Sequence, residues 1–257
     1  MLSFRLGLMV LMLCSIAATA QEKTLKFVLY YPQVPPYMFQ HAQSKQVIGL
    51  IPDLLQPFFL AQQLKVEFIL DNRRGAEHRL YSGDVDAMLM APQWAAHPNQ
   101  LIFSDAVLQH QDFLFALHPF ATGSQPKQWL AGKKVCTRQY YVYDALEPFF
   151  RQAATERVDA SSEMAQLRML TNGRCDFAYL NEHVAKWLLL HHFNQFVLHQ
   201  SPSGFDPVGL TIALHPKWQR YLPALNQFLR QQQNQGVIRS KLQFYTEKKA
   251  EPAGSAF

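Results

Sequence analysis

Side chains able to do chemistry are sparse in this chain, and their spacing excludes more than it offers. Three cysteines occur, and beyond the apolar N-terminal stretch only Cys136 and Cys175 remain. In an oxidising compartment such a pair favours a disulfide; two buried free thiols are the other state open to them. Their spacing fits no zinc pattern, and His191-His192 is the one histidine-rich spot that would help hold a metal. No metal site and no cofactor are therefore expected. His97, Glu182 and His183 are candidates for acid–base work, but no nucleophile elbow, metal-ligand spacing or phosphate-binding loop accompanies them. Lys and Arg are dispersed along a chain of net charge +5, with no run that would grip a nucleic-acid backbone.

The N-terminus reads as an address. Arg5, the apolar run from Leu6 to Ile16 and the small residues of Ala18-Thr19-Ala20 form a cleavable export signal, followed at once by the polar Gln21-Glu22-Lys23. A hydrophobic first helix of the folded domain is the alternative. The run is too short to span a bilayer, and no later stretch reaches about 18 apolar residues. Cys14 follows the bulky Leu13, where a lipoprotein signal wants a small residue. The expected product is a soluble periplasmic protein beginning near Gln21, with residues 1–20 removed.

The elements that must position any site alternate in type. Lys26 to Tyr30, Val66 to Leu70, Ala87 to Met90, Phe113 to Ala116, Val135 to Thr137 and Phe177 to Leu180 are short apolar or β-rich runs, with helical periodicity between several of them. A helix is expected from Pro216, with Trp218, Leu222, Leu225 and Leu229 on one face and Gly236 as its stop. Another runs from about Ser162 through Met164, Leu167 and Leu170 to Gly173. After Gly49 a helix beginning at Pro52 would have to contain Pro57, at a cost in stability. Strands alternating with helices imply an α/β architecture with mainly parallel sheet. An internal echo refines this. Leu80-Tyr81-Ser82-Gly83-Asp84-Val85-Asp86-Ala87 and Leu170-Thr171-Asn172-Gly173-Arg174-Cys175-Asp176-Phe177 both read as a helix end, a glycine able to turn left-handed, an aspartate and a buried strand. Such turns are common in α/β proteins, so chance is one reading; duplication into two similar lobes is the other.

Ordered along the chain, Pro35-Pro36-Tyr37, Gly49 with Pro52-Asp53-Leu54-Leu55, Ser82-Gly83-Asp84-Val85-Asp86-Ala87, Phe103-Ser104, Gly132-Lys133-Lys134-Val135 and Asn172-Gly173-Arg174-Cys175-Asp176 carry a resemblance. The sequence resembles the extracellular solute-binding proteins of family 3, which include the polar amino-acid-binding proteins of bacterial importers. The resemblance implies a two-lobed periplasmic-binding-protein type II fold with two crossing hinge strands. Lobe one would comprise residues 22–116 plus 205–247 and lobe two residues 117–204, with a flexible tail at 248–257. It also implies a ligand in the cleft between the lobes, contacted by Tyr31, Tyr37, Arg73, Trp94, His97, Arg138, Tyr140, Tyr141 and Asn181. A tyrosine or tryptophan in that set has ordinary packing as its plain alternative, and the Arg73-Arg74 loop has solvation.

Departures from the family pattern bear on specificity. Where amino-acid binders place the arginine that clamps the α-carboxylate, just before Phe103-Ser104, this chain has His97, preceded by Met90, Ala91 and Pro92 instead of small hydroxyl residues. The acid that would hold the α-ammonium group is Asn181, with Glu182 beside it. Without those two charge-assisted contacts, ordinary α-amino acids should bind weakly. Arg138 becomes the expected anchor for an anionic group, or Arg73 if Arg138 salt-bridges within its own lobe. The leading expectation is a monomeric binding protein for a small polar or aromatic solute, serving ABC-type import or delivery to an inner-membrane permease or sensor. A dehydratase-like enzyme on the same fold, or an envelope factor without a transport role, are the alternatives.

Overall fold

The computed structural model describes residues 23–247 apart from 122, 124 and 153, so the expected export signal at 1–20 and the expected tail at 248–257 lie outside the described residues. The first half runs through β1 (Lys23–Tyr30), a hairpin of β2 (Phe39–Gln40) and β3 (Val47–Ile48), α1 (Leu50–Ala61), β4 (Leu64–Asp71), α2 (Arg73–Ser82), β5 (Ala87–Met90) and β6 (Ile102–Phe103). β1 pairs in parallel with β4, from Lys23↔Leu64 to Tyr30↔Asp71, and with β5 on its other side. Helices cover both faces, so Phe27, Val28 and Leu29 are buried in succession and every residue of β5 is buried. α1 does form with Pro57 inside it. Leu50, Ile51, Leu54, Leu55, Phe58 and Phe59 are all buried from this helix, and that apolar burial outweighs an internal proline's cost of about 3 kcal/mol.

Two long strands join the halves. β7 (Leu108–Ala116) begins antiparallel to β12 (Phe205–Leu214), through Leu108↔Leu210 and His110↔Val208, and from Asp112 onward pairs with the second half-sheet. β12 in turn continues into the first half-sheet, where Thr211 to Leu214 pair with β5. The sheet order is β4-β1-β5-β12-β7-β10 (Phe177–Asn181)-β8 (Lys133–Arg138)-β9 (Thr155–Ala160), two α/β halves connected by crossing strands. This is the two-lobed periplasmic-binding-protein architecture.

The second half contains α3 (Pro126–Leu130), β8 (Lys133–Arg138), α4 (Glu147–Arg151), β9 (Thr155–Ala160), α5 (Glu163–Thr171), β10 (Phe177–Asn181), α6 (Glu182–His191) and β11 (His199–Gln200). It repeats the turn of the first half. Gly83 and Gly173 both take positive φ, 79° and 69°, at the helix end. The amide of Asp86 donates to the Lys26 carbonyl while the Lys26 amide donates to the Asp86 carboxylate, at 2.9 and 2.7 Å. Asp176 and Lys134 make the same exchange at 2.9 and 2.8 Å. With Lys26 matched to Lys134 and Asp86 to Asp176, Val28 corresponds to Cys136 and Val85 to Cys175. The cysteines form a disulfide with Cα atoms 5.7 Å apart; the valines are fully buried in one apolar cluster.

The C-terminal end differs from expectation. Pro216 opens a 3₁₀ segment to Tyr221, α7 (Leu222–Asn234) follows, and Gly236 separates it from α8 (Val237–Glu247), which the sequence reading did not anticipate. α8 packs on α1 and α7 of the first half and on α6 of the second. Phe39 of the β2–β3 hairpin lies 5.4 Å from the Trp187 ring of α6 and 5.9 Å from the Tyr245 ring of α8. Through these aromatic contacts one apolar cluster runs across both halves. Among the described residues no helix is long and apolar enough to cross a membrane.

Candidate functional site

The parallel strands of both halves end facing one another, and the polar residues of the site occupy those ends. β1 delivers Tyr30 and Tyr31, β4 leads into Arg73 at the start of α2, and β5 leads to Trp94. From the other side β8 ends at Arg138 and β10 ends at Asn181. Strand ends carry loops and helix N-termini, the donor-rich positions from which α/β proteins bind small molecules.

Asn181 is the joint. As the N-cap of α6 its Oδ1 accepts from the amides of His183 at 2.9 Å and Val184 at 3.4 Å. The same oxygen accepts from the Tyr37 hydroxyl of the first half at 2.7 Å, a buried bond between lobes. Its Nδ2 donates to the Gln111 carbonyl at 3.0 Å and reaches His110 Nδ1 at 3.2 Å. Burial first, then the charges of Asp112 and Glu182, hold the Tyr37 phenol well above its ordinary range. The position that would hold an α-ammonium group by resemblance therefore carries a neutral amide already engaged on both arms.

The two arginines are engaged as well. Arg138, buried, sits with Nε 3.3 Å from Glu163 Oε1, donates from Nη1 to the Ser161 carbonyl and lies over the Tyr141 ring at 5.5 Å. Burial raises the Glu163 carboxyl, and the Arg138 charge opposes that shift. Arg138 thus salt-bridges within its own lobe, the condition under which the anchor role passes to Arg73. Arg73 Nη2 donates to the Trp94 carbonyl at 2.7 Å, reaches the Met90 sulfur at 3.2 Å and lies 3.5 Å from Glu77.

The remaining candidates fall into three places. Tyr31 and Tyr140 stand at the rim, 64% and 90% exposed, and Tyr140 has φ 67°, an uncommon conformation for a bulky residue. Trp94 packs its ring edge-on against His110 with centroids 5.0 Å apart. His97 is set apart: it is exposed, its amide donates to the Tyr81 hydroxyl at 2.9 Å, and its ring lies 5.6 Å from that of Tyr81. Glu182 and His183 adjoin at 3.8 Å, while Glu182 also pairs with Lys186 at 3.0 Å. Burial lowers the His183 imidazole to about 4, against the raising charge of Glu182.

His110, Asp112 and Glu163 escaped the sequence reading. The signal was present in Gln109-His110-Gln111-Asp112, a polar interruption between Leu108 and Phe113 in a strand that would otherwise be apolar. Residues 110 and 112 share a face by the strand's period of two. Among the described residues no group of three or more His, Cys, Asp or Glu is placed to hold a metal ion.

Solved structures match this architecture closely at low identity. The binding component of an ABC transporter from Wolinella succinogenes, complexed with lysine, superposes with TM-score 0.74 at 16% identity, covering 88% of this chain and 97% of that one. A mutant of ArgBP from T. maritima gives TM-score 0.68 at 16% identity, covering 88% and 96%. An ancestral amino acid-binding protein described as a precursor of cyclohexadienyl dehydratase gives 0.67 at 17% identity, covering 87% and 96%. No family model matches the sequence, and no curated protein matches it. At these identities the likeness establishes the fold.

Proposed function

We propose that this protein is a periplasmic solute-binding protein that holds a small polar or aromatic solute between its lobes, for ABC-type import or for delivery to a membrane receptor. The observation that carries the reading is the crossing of β7 and β12 between two half-sheets, with the Tyr37–Asn181 bond linking the two halves. Lobe one corresponds to residues 22–116 with 205–247, lobe two to 117–204, and the protein works as a monomer after removal of residues 1–20. Opening and closing about the crossing strands gives a membrane partner a conformational signal. Tyr37 and Asn181 reach across the cleft, Tyr31, Trp94, Tyr140 and Tyr141 supply aromatic surface, and Arg73 and Arg138 border it. Because Asn181 is engaged on both arms and the Arg138 charge is offset by Glu163, simple α-amino acids bind weakly.

A thermal-shift screen of the mature protein against a broad metabolite panel tests this reading, with mass spectrometry of each hit for turnover. A raised Tm with the solute recovered intact is expected. Product formation would favour the enzyme reading that the dehydratase-precursor likeness keeps in view, and no shift with any solute would contradict both.

A further inference from the structure

The charges at the inner end of the cleft do not balance: among the described residues Asp112 and Asp206 both lack an arginine or lysine partner, and Asp206 is taken up by the Tyr179 hydroxyl and the Ala145 amide. Each nearby arginine has a carboxylate of its own: Arg73 with Glu77 at 3.5 Å, Arg138 with Glu163 at 3.3 Å and Arg157 with Asp159 at 2.8 Å. Asp112, on the crossing strand β7 and paired in register with Asn181, has no such partner. Among the described residues the one basic group within 4.0 Å of its carboxylate is His110 Nε2, at 3.3 Å.

Hydrogen bonding fixes the charge of that imidazole. Asn181 Oδ1 is identified by what it accepts, the His183 amide and the Tyr37 hydroxyl, so the other arm is the NH₂ group, which only donates. That group meets His110 Nδ1 at 3.2 Å, so Nδ1 holds a lone pair and the ring proton is on Nε2, which lies 3.3 Å from an Asp112 carboxylate oxygen. A second proton on the ring would point at the Asn181 amide hydrogens. Asp112 therefore faces a neutral imidazole and has no countercharge, while its side chain keeps 15% exposure.

Its setting is aromatic. The Trp94 ring stands edge-on to His110 at 5.0 Å and the Tyr37 ring lies 6.4 Å from the same imidazole. Burial is the first cause raising the phenols of Tyr37 and Tyr179, and the Asp112 charge is the second, which locates the carboxylate among them. An unpaired carboxylate beside electron-rich rings recognises an ammonium or guanidinium group, by charge-assisted hydrogen bonding and by cation–π attraction. A ligand carboxylate would find the charge of both bordering arginines already offset by Glu77 and Glu163, although the Nε of each makes no hydrogen bond among the described residues, and Asp112 would repel it.

We propose that Asp112 anchors the solute, and that the solute is a small organic cation, an amine or a guanidinium, without an α-carboxylate. The proposal rests on the reading of the cleft as a solute site. Calorimetry on the mature protein with agmatine against arginine, and with cadaverine against lysine, isolates the carboxylate, because each pair shares its cationic end. The decarboxylated member is expected to bind at least about tenfold tighter, and the binding to weaken as salt rises. Asp112→Asn should lose at least about tenfold in that affinity, while Asp176→Asn, at the opposite end of β10, should lose none. Should Asp112→Asn fail to fold, the paired comparison on the unaltered protein still decides. Equal or tighter binding of arginine or lysine, no binding by either cation, or full affinity in Asp112→Asn would each overturn the assignment. If the cations fail while a neutral or anionic solute from the metabolite panel binds, only the Asp112 assignment falls; if nothing binds, the cleft reading falls with it.

Discussion

The two lobes are built on one helix–turn–strand frame and stitched by different chemistry. In the first, Asp86 is nearly inaccessible and its Oδ1 meets Lys217 Nζ at 2.6 Å, while Val28 and Val85 fill the apolar space behind it. In the second, Asp176 is open to solvent beside Lys133 at 3.0 Å, and the two valine positions are the Cys136–Cys175 disulfide. Divergence is greater at the cleft ends. Asn72 caps α2 and Ser162 caps α5 through the same i to i+3 contact, but the next residue is Arg73 in one lobe and Glu163 in the other. β1 ends on Tyr30 where β8 ends on Arg138. The frame repeats because a glycine turn and an aspartate exchange with the neighbouring strand solve the same backbone problem twice; at the cleft ends the side chains differ and so do the backbone groups they bond, Arg73 the Trp94 carbonyl and Arg138 the Ser161 carbonyl.

Removing the lobe-two disulfide should have the largest effect. Closing a loop of sequence separation 39 stabilises by about 4 kcal/mol through the entropy of the unfolded chain. Chemical denaturation of a Cys136→Ala/Cys175→Ala variant should show that loss, and an unchanged midpoint would mean that packing alone holds lobe two, as Val28 and Val85 hold lobe one. Asp86→Ala comes next, at about 3 kcal/mol. It strands Lys217 and the Lys26 amide, and the exposure of Lys217 keeps the cost at the low end for a buried pair. Thermal melts that place Asp86→Ala no lower than Asp176→Ala would remove the asymmetry.

A pH scan reads the seam between the lobes. Burial holds the folded His183 imidazole near 4, below its ordinary 6.5, so between those values the unfolded chain binds the proton and the folded one does not. Stability should therefore fall as pH drops through that window, by up to about 1.4 kcal/mol per pH unit, and level off below it. His183→Gln should flatten the slope; an equal slope in the variant would place the titration elsewhere. Asp176→Ala should be the mildest change, about 1 kcal/mol or less, since both partners of its ion pair are solvent-exposed.

The frame was legible in the sequence because it is written in local chemistry. Gly83 and Gly173 followed by Asp86 and Asp176 mark the turns, and the continuous apolar runs at Ala87 and Phe177 mark buried strands. α8 was not legible. Val237–Glu247 carries only Ile238 and Tyr245 as buried residues, too thin a stripe to stand out, and its role in tying α1 to α6 is a property of tertiary packing. The site was legible only in part for the same reason. Tyr37 and Asn181 were expected to face a ligand, but nothing local shows the bond between them, which spans 144 positions, and the pairing of Arg138 with Glu163 depends on where a helix begins in space. His97 looked equivalent to a ligand-clamping position in one dimension and instead packs on Tyr81.

Hydrogen exchange of the mature protein, with and without the first solute that raises its Tm, tests the inter-lobe site most directly. Binding between the lobes predicts added protection at the strand ends of both, around residues 30–37 and 90–94 on one side and 138–141 and 181–183 on the other. Protection confined to a single lobe, or falling on the outer helices while those strand ends exchange unchanged, would contradict it.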